Sequence, residues 1–145
     1  MIKLDFWQVT DDPIEKVVVL IARRTLDNGA RLLIVSDNSD QRAAISRALW
    51  QAGAESFLAH GEADAPGAER QPILLSPSLE APNGANHVVF ADGRFRETAG
   101  FARVFLLFTP EDAPHAREAW SAQNGRTDIE RAYYAQENRR WVKVR

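Results

Sequence analysis

The residue types that perform chemistry are scattered along this chain and do not form a known catalytic pattern. The chain has no cysteine, which excludes a thiol nucleophile, thiolate zinc sites and disulfides, and fits a reducing compartment. Its histidines, His60, His87 and His115, are far apart, and no H-x-x-x-H pair is present. We therefore expect no metal site, and we interpret each histidine as structural or exposed.

Two carboxylates, Asp37 and Asp40, follow a predicted buried strand, at the sheet edge where α/β folds place ligands. One alternative is therefore a nucleotide- or metal-dependent hydrolase that uses this pair. Ser36-Asp37-Asn38 also matches part of a β-lactamase signature, but its S-x-x-K and K-T-G partners are absent. We interpret the segment as a helix-capping turn, with Asp37 or Ser39 as the cap, and expect no catalytic activity.

A cation beside an aromatic ring is the better candidate site. Arg117 and Trp120 are three residues apart on a predicted helix and therefore share a face. A guanidinium beside an indole can bind a carboxylate and a neighbouring aromatic side chain together. The alternative is a solvated Arg117 with Trp120 in the core.

Residues 120–145 hold six bases and three acids, so this end is basic although the net charge is -2.

A second aromatic pair flanks Gly53, where a helix is predicted to end. Trp50 lies in the last turn of that helix, and Phe57 opens the next predicted strand. Packing in the core is the simpler interpretation. The alternative is that both rings form an exposed patch that anchors a partner. Residues 53–86 hold five acids and the single base Arg70, which predicts an acidic edge unsuited to DNA.

Alternating strands and helices must position these side chains. A strand at residues 2–9 precedes a helix with a cap at residues 10–12, Pro13 in its first turn and an end at Asn28-Gly29. Apolar runs at 31–35, 73–75, 87–91 and 104–108 predict further strands, and residues 61–70 an exposed loop. Helices are predicted at 40–52 and from Thr109-Pro110 to about 123, and residues 139–145 are expected to be a strand or an extended tail.

This order predicts a single α/β domain over residues 1–145, with a central, largely parallel or mixed sheet between helices in three layers. The fold is Rossmann-like, but neither nucleotide fingerprint is present, so no cofactor is expected. No apolar stretch approaches the ~20 residues that a membrane span needs. We interpret the chain as a cytoplasmic protein without a membrane partner.

Several segments, in the same order and at similar length, resemble the chi subunit of bacterial DNA polymerase III, a clamp-loader accessory protein. They are Lys3-Leu4-Asp5-Phe6-Trp7, Ala48-Leu49-Trp50, Ala54-Glu55-Ser56-Phe57, His60, Gln71-Pro72-Ile73-Leu74-Leu75, Asn86-His87-Val88-Val89-Phe90, Phe101-Ala102-Arg103-Val104-Phe105 and Trp141 with the basic end. The resemblance implies a non-catalytic adaptor within the DNA polymerase holoenzyme, which meets DNA only indirectly.

The resemblance also implies two partner sites. Arg117 and Trp120 match the arginine and aromatic residue that receive the acidic, Phe-ending C-terminal tail of single-stranded-DNA-binding protein, and Ser121 stands where the family has a lysine. Arg126, Arg131 or a base from the C-terminal segment is the candidate substitute for that lysine. Trp50 and Phe57 resemble the aromatic pair that binds the psi subunit or, alternatively, an iron-sulfur helicase.

A direct single-strand binder is the remaining alternative. It would use the basic end with Trp141, because stacking aromatics over a basic groove is the pattern such proteins need. The net charge of -2 counts against it.

Overall fold

The computed structural model of this chain describes residues 1–52, 58–98 and 100–145. Within these ranges eight strands form one sheet, and helices cover both of its faces. The strands are β1 (Ile2–Gln8), β2 (Leu32–Val35), β3 (His60–Glu62), β4 (Ile73–Ser76), β5 (His87–Phe90), β6 (Arg103–Phe108), β7 (Ile129–Glu137) and β8 (Arg140–Lys143). The helices are α1 (Ile14–Asp27), α2 (Ser39–Trp50) and α3 (Ala113–Ala122).

The strand order across the sheet is β3-β4-β2-β5-β6-β1-β7-β8. Every neighbouring pair is parallel except β7 and β8, which form an antiparallel hairpin. The predicted α/β architecture with a largely parallel sheet between helical layers is confirmed.

Each face of the sheet has its own apolar core. Because successive strand residues point to opposite faces, Trp7 of β1 packs with α1 and α2, while Phe6 packs with α3. The buried face of α3 is made of alanines, namely Ala113, Ala116 and Ala119. Because these side chains are small, the helix can lie close to the sheet. The surface beside the helix is then formed by larger side chains of neighbouring residues.

The start of α2 differs from the prediction. Its cap is Asn38, whose side chain accepts a hydrogen bond from the backbone N–H of Gln41 at 3.0 Å. Neither Asp37 nor Ser39 is the cap. The predicted end at Gly53 and the strand start at Phe57 lie outside the described residues, and the strand that follows α2 begins at His60.

The start of α1 also differs, because no side chain within residues 10–12 caps it and the helix begins at Ile14. Instead, Gln136 of β7 reaches this turn from the far end of the sequence. Its Oε1 accepts hydrogen bonds from the backbone N–H groups of Thr10 and Asp11, each at 3.0 Å. The Thr109 side chain likewise makes no capping hydrogen bond. A 3₁₀ turn at Pro110–Asp112 precedes α3.

One loop prediction needs correction, and one strand was not predicted. The predicted loop at residues 61–70 contains the end of β3 and a 3₁₀ turn at Ala68–Arg70. The strand or extended tail predicted at residues 139–145 is confirmed by β8, whereas β7 was not predicted, and the two strands form a hairpin through Asn138 and Arg139. This hairpin brings the last residues of the sequence beside α3.

Candidate functional site

The three residues predicted on α3 lie along one cavity of about 350 Å³. Arg117, Trp120 and Ser121 line it from the helix. The opposite wall comes from Gln8 of β1, from Tyr133 and Ala135 of β7, and from Val144 and Arg145 beyond β8. The cavity therefore exists only because the C-terminal hairpin folds back beside α3.

The rings of Trp120 and Tyr133 form the aromatic floor of this cavity, and the buried ring of Phe6 packs against both. Trp120 meets the buried ring of Phe6 edge-on, with centroids 5.3 Å apart, and meets Tyr133 edge-on at 6.0 Å. Phe6 and Tyr133 are stacked at 6.2 Å. Edge-on and offset ring pairs are favourable arrangements, so these rings form a fixed apolar surface. Trp120 is half-buried and thus serves both the core and the cavity.

Arg131 holds the Trp120 ring in place. Its guanidinium lies over the indole, 4.4 Å from the ring centroid, which is a cation–π geometry. The same group donates to the carbonyl oxygen of Trp120, and to Oδ1 of Asn124 at 2.6 Å. Arg131 is therefore occupied in fixing the end of α3.

Two other arginines, Arg117 and Arg145, give the cavity its charge. Both are exposed, and neither side chain forms an ion pair or hydrogen bond within the described part of the chain. Burial raises the pKa of the Tyr133 hydroxyl, and the positive charges of Arg117 and Arg145 oppose that rise. The hydroxyl donates to Oε1 of Gln8 at 3.0 Å, so it stays a neutral part of the wall.

The second predicted pair is only half described, because Phe57 lies outside the described residues. Trp50, at the end of α2, is 58% exposed. Its ring packs on His60 with centroids 4.6 Å apart, and His60 is buried. Nδ1 of His60 donates to the carbonyl oxygen of Leu58 at 2.8 Å, and Nε2 lies 2.9 Å from Oγ of Ser46. The Trp50 ring therefore packs on an imidazole whose two nitrogens are both hydrogen-bonded, and most of the Trp50 side chain is exposed to solvent.

The comparison with protein families decides the identity of the chain. Residues 1–127 match the family model of the DNA polymerase III chi subunit, HolC. The chain belongs to this family. No curated protein matches it. Membership of the family confirms the predicted role as an accessory subunit in replication. The matched residues include Arg117, Trp120 and Ser121, but the match ends before Tyr133 and Arg145.

Of the two carboxylates considered for catalysis, Asp40 lies in the first turn of α2, and Asp37 has a structural role in this chi-family chain. Oδ2 of Asp37 lies 2.8 Å from Nη1 of Arg94 and 3.3 Å from Nη2 of Arg96, and Arg96 also pairs with Asp92 at 2.7 Å. Burial alone would raise the pKa of Asp92, but the hydrogen bonds it accepts from Arg96 and from backbone N–H groups lower it. This network ties together the carboxyl ends of β2 and β5.

The described residues contain neither an arrangement that could hold a metal ion nor a helix that could cross a membrane. No group of three or more His, Asp and Glu side chains among them is arranged to hold a metal ion. No helix in the described ranges is long and apolar enough to cross a membrane.

Sequence reasoning missed half of the cavity. Gln8, Tyr133 and Arg145 lie outside α3. The parallel pairing of β7 with β1 brings Tyr133 beside Gln8, and the backbone bonds between Arg145 and Tyr133 bring Arg145 to the same cavity. The clustering of bases after residue 120 was the available signal. It pointed to the region without distinguishing Arg145 from the other arginines.

The acidic edge predicted for residues 53–86 corresponds in part to a wide groove of about 900 Å³ beyond β3 and β4. Glu62, Asp64 and Glu80 line this groove, with Arg42 as its cation. Its negative charge disfavours acidic peptides and DNA, in contrast to the cationic cavity beside α3.

Proposed function

We propose that this chi-family protein is a non-catalytic adaptor that bridges the clamp-loader assembly and the acidic C-terminal tail of single-stranded-DNA-binding protein. The observation that supports it is the cavity beside α3, where exposed arginines flank an aromatic floor. An acidic peptide that ends in Phe has a free α-carboxylate, side-chain carboxylates and one ring. Its receptor needs cations beside an apolar pocket, which is the combination found here.

Each wall of the cavity has a part in this proposal. Arg117 binds the terminal carboxylate, because a guanidinium can donate two parallel hydrogen bonds to a carboxylate. Trp120 and Tyr133 contact the ring of the terminal Phe, which edge-on aromatic contacts stabilise. The tail of a protein bound to single-stranded DNA is thereby attached to this chain, which meets DNA only through that protein.

Trp50 is the proposed anchor for the other partner, the psi subunit or an equivalent clamp-loader or helicase protein. Its support is the 58% exposure of a tryptophan at a helix end, since tryptophan is enriched among the residues that dominate binding energy. Phe57 is proposed to share this patch. Linking the two partners raises the effective concentration of polymerase at the coated template.

The test is a titration of the purified protein with a fluorescent acidic peptide that ends in Phe. Arg117→Ala should weaken binding by at least about tenfold, because it removes a charge-assisted contact made only to the peptide. Ser121→Lys should strengthen it by a few-fold, roughly the effect of one rim charge. Binding should also weaken as salt rises, since the contacts are ionic.

Arg126→Ala is the matched control, because Arg126 pairs with Asp128 at 2.7 Å and does not line the cavity. It should bind like the parent protein. If Arg117→Ala also binds the peptide like the parent, the tail site is elsewhere. Tight binding of bare single-stranded DNA with no binding of the peptide would favour the direct single-strand binder.

Trp141, the ring needed for direct stacking on bases, argues against that alternative. It is half-buried and packs on Trp7 with centroids 4.6 Å apart. A ring engaged in the core has little face left for a base, whereas the single-strand binding pattern requires exposed stacking platforms.

A further inference from the structure

We infer that Arg145 is the second peptide-binding cation of the cavity and provides the charge that Ser121 lacks. The inference rests on the proposed function, because it concerns the same ligand. Ser121 and Arg145 both line the cavity, the first from α3 and the second from the strand side. A positive charge absent from one wall is thus present on the other.

The backbone around Arg145 holds it at this place. The carbonyl oxygen of Arg145 accepts a hydrogen bond from the N–H of Tyr133 at 3.0 Å, and the N–H of Val144 donates to the carbonyl of Tyr133 at 2.7 Å. These bonds continue the β7–β8 pairing beyond the last residue of β8. Because the backbone is fixed beside Tyr133, the side chain of Arg145 stays at the rim of the cavity.

The other arginines near α3 are already engaged. Arg131 is stacked on Trp120 and bonded to Asn124, so it positions the ring. Arg126 binds both carboxylate oxygens of Asp128, at 3.0 and 2.7 Å, and Oε1 of Gln123 at 3.0 Å. Breaking these bonds to reach a ligand would cost free energy.

Cations on two walls select a particular class of peptide. Arg117 on α3 is assigned to the terminal α-carboxylate, and Arg145 then faces the chain upstream of the terminal ring. The favoured ligand is therefore a peptide with a C-terminal aromatic residue and at least one acidic side chain shortly before it. A peptide with a terminal carboxylate but neutral upstream residues should lose the contribution of Arg145 alone.

The experiment measures the binding of two peptides to the parent protein and to its variants. One peptide is the acidic, Phe-ending sequence, and the other has its upstream Asp and Glu residues replaced by Asn and Gln. Arg145→Gln should weaken binding of the acidic peptide by about three- to tenfold, as expected for a rim charge that acts at close range. It should leave binding of the neutral peptide unchanged. Arg117→Ala should weaken both.

Arg140→Gln is the matched control, because Arg140 is an exposed arginine of the same hairpin that does not line the cavity. The double variant Arg145→Gln with Ser121→Lys should regain most of the lost affinity, since it returns one positive charge to the cavity from the α3 wall. Circular dichroism of each variant checks that the fold is retained.

Two failures are distinguishable. If the parent binds the acidic peptide and Arg117→Ala loses it, but Arg145→Gln binds like the parent, the proposed function stands and the role of Arg145 is overturned. If the parent does not bind the acidic peptide, the proposed function itself fails. Loss in Arg145→Gln that is equal for both peptides would also overturn the inference, because the effect would not depend on upstream acids.

Discussion

At the scale of single residues, Trp120 combines packing against the core with a position on the wall of the cavity. Its ring packs against buried Phe6 and also lines the cavity with Arg117. The sequence alone predicts that Arg117 and Trp120 share one face, because they are three residues apart on a helix. It does not predict the stacking of Arg131 over the indole, because that contact depends on the register of β7 beside α3.

Trp50 gives a test at the same scale. Trp50→Ala should change the free energy of unfolding by less than about 1 kcal/mol, because most of the side chain is already in solvent. Trp7→Ala should lower it by about 3–5 kcal/mol, since Trp7 is buried and leaves a cavity. Urea denaturation followed by circular dichroism measures both. A Trp50→Ala variant as unstable as Trp7→Ala would show that Trp50 is a core residue.

At the scale of elements, the buried strands and the edge strand β8 were predictable, whereas β7 was not. β2 is a continuous run of apolar residues, as a strand covered on both faces must be. In β7 the apolar residues alternate irregularly with polar ones, which include Glu130, Arg131 and Gln136. The strand tolerates them because it lies near the edge of the sheet and is only partly covered. Mixed composition of this kind does not predict a nine-residue strand.

Gln136 illustrates a second limit of sequence reasoning. Its amide stabilises the turn before α1 by accepting from Thr10 and Asp11, and its Nε2 donates to Asp12 at 2.8 Å. Local patterns pointed to a cap within residues 10–12. The observed partner is 125 residues away from Asp11, and no local signal contains that information.

The turn between β7 and β8 makes a prediction at this scale. Asn138 and Arg139 have φ angles of 53° and 64°, in the left-handed region where glycine is favoured and most side chains are strained. Arg139→Gly should therefore raise the free energy of unfolding by up to about 1 kcal/mol. Its backbone N–H would still donate to Oδ2 of Asp11, which it now meets at 2.9 Å.

Arg140→Gly is the matched control for this turn. Arg140 is the first residue of β8, where glycine costs roughly 0.5–1 kcal/mol, so the sign of the change should reverse. Thermal denaturation of the two variants compares them directly. A destabilised Arg139→Gly protein would contradict the argument from backbone strain. Arg139→Gly should also keep its affinity for the acidic peptide, because it preserves the hairpin that holds Arg145.

At the scale of the whole molecule, the two proposed partner sites lie far apart. Trp50 packs on His60 of β3, the strand at one edge of the sheet, whereas the cavity is built on β7 near the other edge. Six neighbouring pairs separate β3 from β7. At about 4.8 Å per pair the separation is roughly 29 Å. Side chains so distant contribute independently to binding, so one partner should not alter the affinity of the other.

Because the two sites are separate, bridging of the two partners should require both sites on one molecule. The purified psi-type partner is fixed to a surface, and the capture of single-stranded DNA coated with its binding protein is measured after this protein is added. Trp50→Ala should fail because it no longer binds the surface, and Arg117→Ala should fail because it no longer binds the tail. A mixture of the two variants should fail as well, since each molecule retains a different half of the link and bridging requires both halves in one chain. Capture by the mixture at the level of the parent protein would show that the two sites need not belong to the same molecule, and the adaptor mechanism proposed for this chain would be wrong.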